Sequence, residues 1–161
     1  VPAGGGIHLR PHRQEAAVNA FAFFRLKAGL IFLARGEHQQ GGIIVEIYNT
    51  TRQVVLAEDV QVVFSFFGRL KGLLGRREFR VGEGLLLKPC KAVHSCFMLF
   101  PIDAVFLDEQ MVVVHIIEGL PPFRLSPVIR EASSVLELPA GVTRLSGTRI
   151  GDRLSLRTCF D

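Results

Sequence analysis

Between Cys90 and Asp103 the chain reads CKAVHSCFMLFPID, which gathers two thiols, an imidazole, a thioether and a carboxylate among apolar residues. Read as a strand, Cys90–Phe100 puts Cys90, His94, Cys96 and Met98 on one face, because side chains alternate along an extended chain. His94, Cys96 and Met98 are soft donors of the kind that suits copper(I). Spacing opposes a metal site. At about 3.3 Å per residue, same-face neighbours stand roughly 7 Å apart and Cys90 lies about 13 Å from His94. The rest of the chain holds no Cys/His pair at zinc-like spacing. No metal or other cofactor is therefore expected, and Cys96 and Met98 read as flexible core filler. Cys90 or Cys96 with His94 also has the groups for thiol catalysis. A pair on one strand rarely aims sulfur at imidazole, however, and no cysteine-hydrolase signature is present.

The carboxylates carry more. Asp103 shares a strand face with Val105 and Leu107, and Glu137 sits between Leu136 and Leu138. A carboxylate among apolar residues needs a donor or a cation, and Arg69, Arg76 and His94 are at hand. The candidate site is a polar pocket of Arg76, His94, Asp103 and Glu137. The plainer reading, an ion pair or loop cap that only fixes the fold, is preferred, since ionic networks in small domains commonly have no catalytic role. Pro101 cannot donate a ladder hydrogen bond, so a bend is expected between Phe100 and Ile102. That bend would turn Asp103 toward donors at the end of a glycine-bearing helix, Arg76 first among them. The basic run Arg69, Lys71, Arg76, Arg77, Arg80 is diluted by Glu78 and holds Phe79 as its one aromatic. With no RNA-binding signature, it reads as a solvated face, and a nucleic-acid partner is not expected. Gly82-Glu83-Gly84 is too short for a phosphate-binding fingerprint.

These residues must be positioned by a modest chain. It has 161 residues, 48% of them hydrophobic, with a net charge of +4 and a pI near 9.3. That fits one domain and permits, without demanding, an anionic partner. Three cysteines without a CxxC pair argue against a disulfide framework. Residues 1–41 read as an N-terminal arm or linker: VPAGGG is turn-rich, Ala20–Ala34 is apolar but interrupted by Arg25 and Lys27, and RGEHQQGG resembles a linker. No stretch reaches the uninterrupted apolar length of a transmembrane helix. A cytoplasmic location is expected, with export the alternative should sequence ahead of Val1 carry a signal.

Residues 42–161 read as a single domain. Ile43–Asn49 and Gln53–Val60 form a hairpin around Asn49-Thr50-Thr51-Arg52. Phe64–Arg76 is the clearest helix: Phe66, Phe67, Leu70, Leu73 and Leu74 fall within an arc of about 120°. Ser65 suits its N-cap and Gly75 its C′ position, and Gly68, Gly72 and Gly75 share another side. Further strands are expected at Gly82–Pro89, Cys90–Phe100, Ile102–Leu107, Met111–Ile117 and Ser133–Gly141, and Arg149–Arg157 closes the domain through a Gly151-Asp152 turn. The fold class is mostly β (α+β): a small antiparallel barrel-like domain with one clear amphipathic helix.

Four ordered blocks carry a resemblance. RLKGLLGR (Arg69–Arg76), GEGLLLKPCKAVHSCFMLFPIDAVFLD (Gly82–Asp108), VLELPAG (Val135–Gly141) and Gly151-Asp152 together resemble the domain of unknown function 192 family of bacteria and archaea. The resemblance spans about residues 42–158. It implies a compact, mainly β single domain and no particular activity. Leu99 departs from the pattern, in which a basic residue often follows the Phe-Met pair. The functional expectation is a small non-enzymatic domain that binds a small ligand or protein partner near His94 and Asp103. The alternative is a small hydrolase or metal-dependent enzyme using His94, Asp103 and Glu137. An enzyme should show a concave pocket where those side chains converge, and a binding module an exposed apolar patch.

Overall fold

The computed structural model describes residues 45–158, so the arm expected over 1–41 lies outside the described residues. The described chain runs β1 (Val45–Asn49), β2 (Val54–Val63), α1 (Phe66–Lys71), β3 (Glu83–Leu87), β4 (Ile102–Leu107), β5 (Val113–Leu120), β6 (Ser134–Pro139), α2 (Val142–Ser146) and β7 (Leu154–Thr158). The strands form one sheet in the order β5-β4-β6-β3-β2-β1-β7. Its pairs are antiparallel except β2–β3. A parallel pair needs a crossover, and the segment carrying α1 supplies it. The sheet curls until its edges meet at one end. There Val113 N–H donates to Asp152 C=O (2.8 Å), Gly151 N–H to Val113 C=O (2.8 Å) and Leu154 N–H to Met111 C=O (2.9 Å). The result is a mostly β half-barrel, as the strand pattern predicts.

The β1–β2 hairpin closes through Asn49, whose Oδ1 accepts from Thr51 N–H (3.0 Å) and Arg52 N–H (2.9 Å). An Asn side chain that mimics a backbone turn in this way is a common device for reversing the chain. Strands β4 and β6 are buried at every position and β3 at all but its first residue. They are covered on both faces, so they read as continuous apolar runs rather than alternating ones. The inner face, within the curl, packs Ile47, Val60, Leu86, Val105, Leu107 and Leu138. The outer face packs Leu85, Leu87, Ile102, Phe106 and Val135 under Leu73, Val93 and Met98. Gly84 sits where strands crowd: a Cβ there would lie 3.0 Å from Val60 Cγ2 and 3.1 Å from Ala57 Cβ.

Two expectations are corrected. Cys90–Phe100 is not a strand; its only ladder contact is a bridge from His94 to Leu125. The segment instead runs antiparallel to residues 121–133 as a strap across the outer face. Ser95 N–H donates to Arg124 C=O, Phe123 N–H to Ser95 C=O and Ser126 N–H to Val93 C=O, each at 2.9 Å. Fully buried Ser95 diverts the chain: its hydroxyl donates to Pro121 C=O (2.6 Å) and accepts from Arg124 N–H (2.9 Å). Pro101 therefore precedes β4 rather than bending a longer strand.

The helix is also shorter than expected. Ser65 caps it, accepting from Gly68 N–H at 3.1 Å, but it ends at Gly72, whose N–H bonds Gly68 C=O. Phe67, placed by periodicity on the apolar face, is 79% exposed, while Leu73 beyond the helix is buried. The side chains of Phe66 and Leu70 lie outside the described residues. Over six residues the glycine side takes the packing role: a Cβ at Gly68 would lie 2.6 Å from Val63 Cγ1.

Candidate functional site

A polar side chain that the fold isolates within the core is Glu137. In β6 it stands opposite Leu85 of β3 and Ala104 of β4, which puts it on the outer face beneath the strap. It is 3% exposed, and its Oε2 makes no hydrogen bond. Burial pushes its carboxyl up to about 8, with the charge of Arg76 pulling the other way. Withdrawal from water disfavours the ionised form, so the group is a neutral acid at pH 7. It faces a cavity of about 180 Å³. Arg69, Cys90, His94, Cys96 and Met98 share that cavity, with Leu73, Leu87 and Val93 as its apolar walls. Buried polar atoms are nearly always hydrogen-bonded, so the unpartnered, buried Glu137 Oε2 is an exception within this core.

Cys90 is placed as a quiet thiol. Cys90 Sγ donates to Ala92 C=O at 3.0 Å, and burial pushes the thiol up. A nucleophilic cysteine needs the opposite shift. Among the described residues, no three His, Cys, Asp or Glu side chains are grouped closely enough to hold a metal ion.

The structure brings two of the four sequence-derived site residues to this cavity, His94 and Glu137. Arg76 lies outside its lining, where it donates to Gln61 Oε1 (2.9 Å) and stands 3.8 Å from Glu83. It reaches Glu137 only through its charge. Asp103 faces the other way. It pairs with Leu138, an inner-face residue, and is fully buried. Its Oδ1 accepts from Gly119 N–H (2.9 Å), and its Oδ2 from Gly141 N–H (3.0 Å), Thr143 N–H (2.9 Å) and the Thr143 hydroxyl (2.6 Å). The donors are thus at α2 and the end of β5, not at the glycine-bearing α1, and Arg76 is not among them.

A second buried network escaped the sequence reading. Asn49 Nδ2 donates to Asp152 Oδ2 (3.0 Å) and Thr148 Oγ1 (3.1 Å), and Arg52 Nε reaches Asp152 Oδ2 at 2.9 Å. Burial opposes the Asp152 charge, but hydrogen bonds from Arg52, Asn49 and Arg149 N–H outweigh it and hold the carboxyl below its usual range. The network ties the β1–β2 turn to the turn before β7, where the half-barrel edges meet. Only the Gly151-Asp152 dipeptide hinted at it. On the strap, Phe97 and Phe123 are exposed with rings in edge contact at 5.8 Å, and Leu99 and Leu125 are exposed too.

A buried acid beside a small cavity, on a curled sheet, characterises this half-barrel domain. The chain matches the model of the DUF192 family, Uncharacterized ACR, over residues 46–156, and it belongs to that family. The UPF0127 protein of Pyrococcus abyssi (strain GE5 / Orsay) is 28% identical over 114 residues, covering 67% of this chain and 94% of the relative. A UPF0127 protein of Pyrococcus furiosus (strain ATCC 43587 / DSM 3638 / JCM 8422 / Vc1) is 29% identical over 109 residues, 66% of this chain and 93% of the relative. A crystal structure of a protein of unknown function from Novosphingobium aromaticivorans DSM 12444 shares the fold, with a TM-score of 0.63 at 21% identity over 74% of this chain and 91% of that one. A proposed transcription regulator from Sinorhizobium meliloti 1021 aligns with a TM-score of 0.60 at 25% identity, over 75% of this chain and 98% of that one.

Proposed function

We propose that this domain is a non-enzymatic binding module that takes a small ligand in the cavity beneath the strap. The observation that carries the reading is the cavity of about 180 Å³ beneath the strap, whose lining includes the buried Glu137 together with His94. The proposal keeps His94 and Glu137 as ligand-facing residues, gives Arg76 an electrostatic role and leaves Asp103 to the fold. Support for binding over hydrolysis comes from the separation of the carboxylates. Asp103 and Glu137 lie on opposite faces of the sheet, and the Asp103 oxygens already hold four donors. A hydrolase built on His94, Asp103 and Glu137 would need them to converge.

The test is a fragment screen followed by amide chemical shifts. Binders are expected to shift Cys90, His94, Cys96 and Glu137, and the effect should vanish in Ala92→Leu, which fills the cavity from its lining. A screen without a single hit at these amides refutes the reading. The exposed Phe97, Leu99, Phe123 and Leu125 favour a second reading, a protein partner on the strap. A Phe97→Ser/Phe123→Ser double variant would abolish such an association and leave the cavity shifts in place.

A further inference from the structure

We infer that the end of the strap carrying Phe97 and Phe123 is a membrane-contact surface, seated on a bilayer that contains anionic lipid. The inference stands apart from the cavity reading, because none of the apolar side chains it uses lines the cavity. Phe97, Leu99, Phe123 and Leu125 are 59–76% exposed. Ser95 N–H donates to Arg124 C=O and Phe123 N–H to Ser95 C=O, which ties the two segments of the strap together beside the phenylalanines. The two rings meet edge to face at 5.8 Å, and Leu99 and Leu125 follow two residues on along each segment. The four side chains therefore form one patch.

Strain sets the patch apart from incidental exposure. Phe97 and Phe123 have φ of 60° and 59°, a left-handed backbone that bulky residues rarely adopt. Glycine or asparagine would hold both turns with less strain. Neither burial nor backbone geometry accounts for phenylalanine at either place, and strained backbone beneath exposed rings points to a role outside the fold.

Charge selects the occupant. The strap carries Lys91, Arg124 and Arg130 against one acid, Glu131, which lies at the end away from the phenylalanines. The Phe79–Phe100 ring contact, with centroids 6.0 Å apart, brings the segment bearing Arg77 to the phenylalanine end. Arg77, Lys91, Arg124 and Arg130 are exposed and make no ion pair among the described residues, and Glu78 beside Arg77 is paired with Arg80. Exposed rings with a cationic fringe suit an anionic bilayer surface. The rings enter the boundary of headgroups and acyl chains while the cations stay at the level of the phosphates. A second copy suits the patch poorly, because two-fold pairing would crowd Arg124 of the two copies together. An acidic protein would meet the charge. Side chains this exposed stand proud of the surface, however, and such a partner would have to supply every pocket, whereas lipid yields around them.

The chain has no tryptophan, so Leu99→Trp supplies a single indole whose emission reports its surroundings. The full chain is mixed at low salt with vesicles of equal parts phosphatidylglycerol and phosphatidylcholine. The emission is expected to shift to the blue and to be quenched by lipids brominated on their acyl chains. Leu145→Trp, at an exposed site on α2, is expected to show neither effect. Binding to the same vesicles by cosedimentation should fall at least about tenfold in Phe97→Ser/Phe123→Ser and about fivefold in Arg124→Gln, with the circular dichroism of the fold unchanged. Pure phosphatidylcholine, or high salt, should weaken the parent's binding. Equal binding to both vesicle types, or binding that survives both strap variants and so belongs to another part of the chain, overturns the assignment. An indole at position 99 that neither vesicle shifts also overturns it, and a strap that then pairs two copies or holds an acidic protein would name the occupant instead.

Discussion

Replacing Glu137 by Gln isolates the energetic consequence of burying an acid. Its folded value of about 8 stands above the ordinary 4.5. A carboxyl shifted upward favours folding while it is protonated. Its contribution is full below pH 4.5 and is lost as pH rises through about 8. Each pH unit in that window is worth about 1.4 kcal/mol. Relative to the non-titrating Gln, wild type should therefore lose roughly 3 kcal/mol by pH 7 and about 5 kcal/mol above pH 9, with near-equal stability below pH 4.5. Other carboxylates titrate in both proteins and cancel in the difference. Urea denaturation at a series of pH values, with matching m-values, gives the number directly. Two stability profiles that run parallel from pH 4.5 to 9 would refute the neutral buried acid.

Asp103→Ala leaves the N–H groups of Gly119, Gly141 and Thr143 and the Thr143 hydroxyl without their acceptor. Denaturant unfolding should show a loss of at least about 3 kcal/mol, and a loss under about 1 kcal/mol would show that water or relaxation replaces the carboxylate. Asp152 has the opposite sign to Glu137. Its folded value is lowered, so its stabilisation is present above 3.8 and lost as pH falls through the folded value. The stability gap between wild type and Asp152→Asn should accordingly narrow below pH 3.8, and a gap that widens there contradicts the network. Gly84→Ala forces a Cβ against Val60 and Ala57; overpacking of this kind costs about 1–3 kcal/mol, readable as a lower Tm. Elemental analysis of purified protein should find no stoichiometric zinc or copper, and one tightly held ion per chain, released by His94→Ala, would reverse that expectation.

Local chemistry wrote several elements into the sequence. β4 occupies Ile102–Leu107 as expected, since a continuous apolar run is bounded by Pro101 and the Asp108-Glu109-Gln110 turn. The β1–β2 turn was legible from Asn49, and the start of α1 from Ser65, because each acts through hydrogen bonds within three residues. The strap was not legible. CKAVHSCFMLF has the composition of a core strand, and only partners some thirty positions away, such as Arg124 and Ser126, make it a covering segment. α2 was missed because it has no side-chain cap of its own and is held by Asp103 from a distant strand.

The candidate site divides in the same way. The sequence by itself marked Glu137, Asp103 and His94 as polar residues in apolar surroundings, since burial of such groups always needs a reason. Whether the two carboxylates meet was decided by the β4–β6 register alone. Ala104 pairs with Glu137 and Asp103 with Leu138, so Glu137 faces the strap and Asp103 the interior. A slip of one residue would have put both acids on one face, because side chains alternate with a period of two. That register is set by Val105, Leu107, Leu136 and Leu138 filling the inner core together, a property of the assembled sheet and of no single strand.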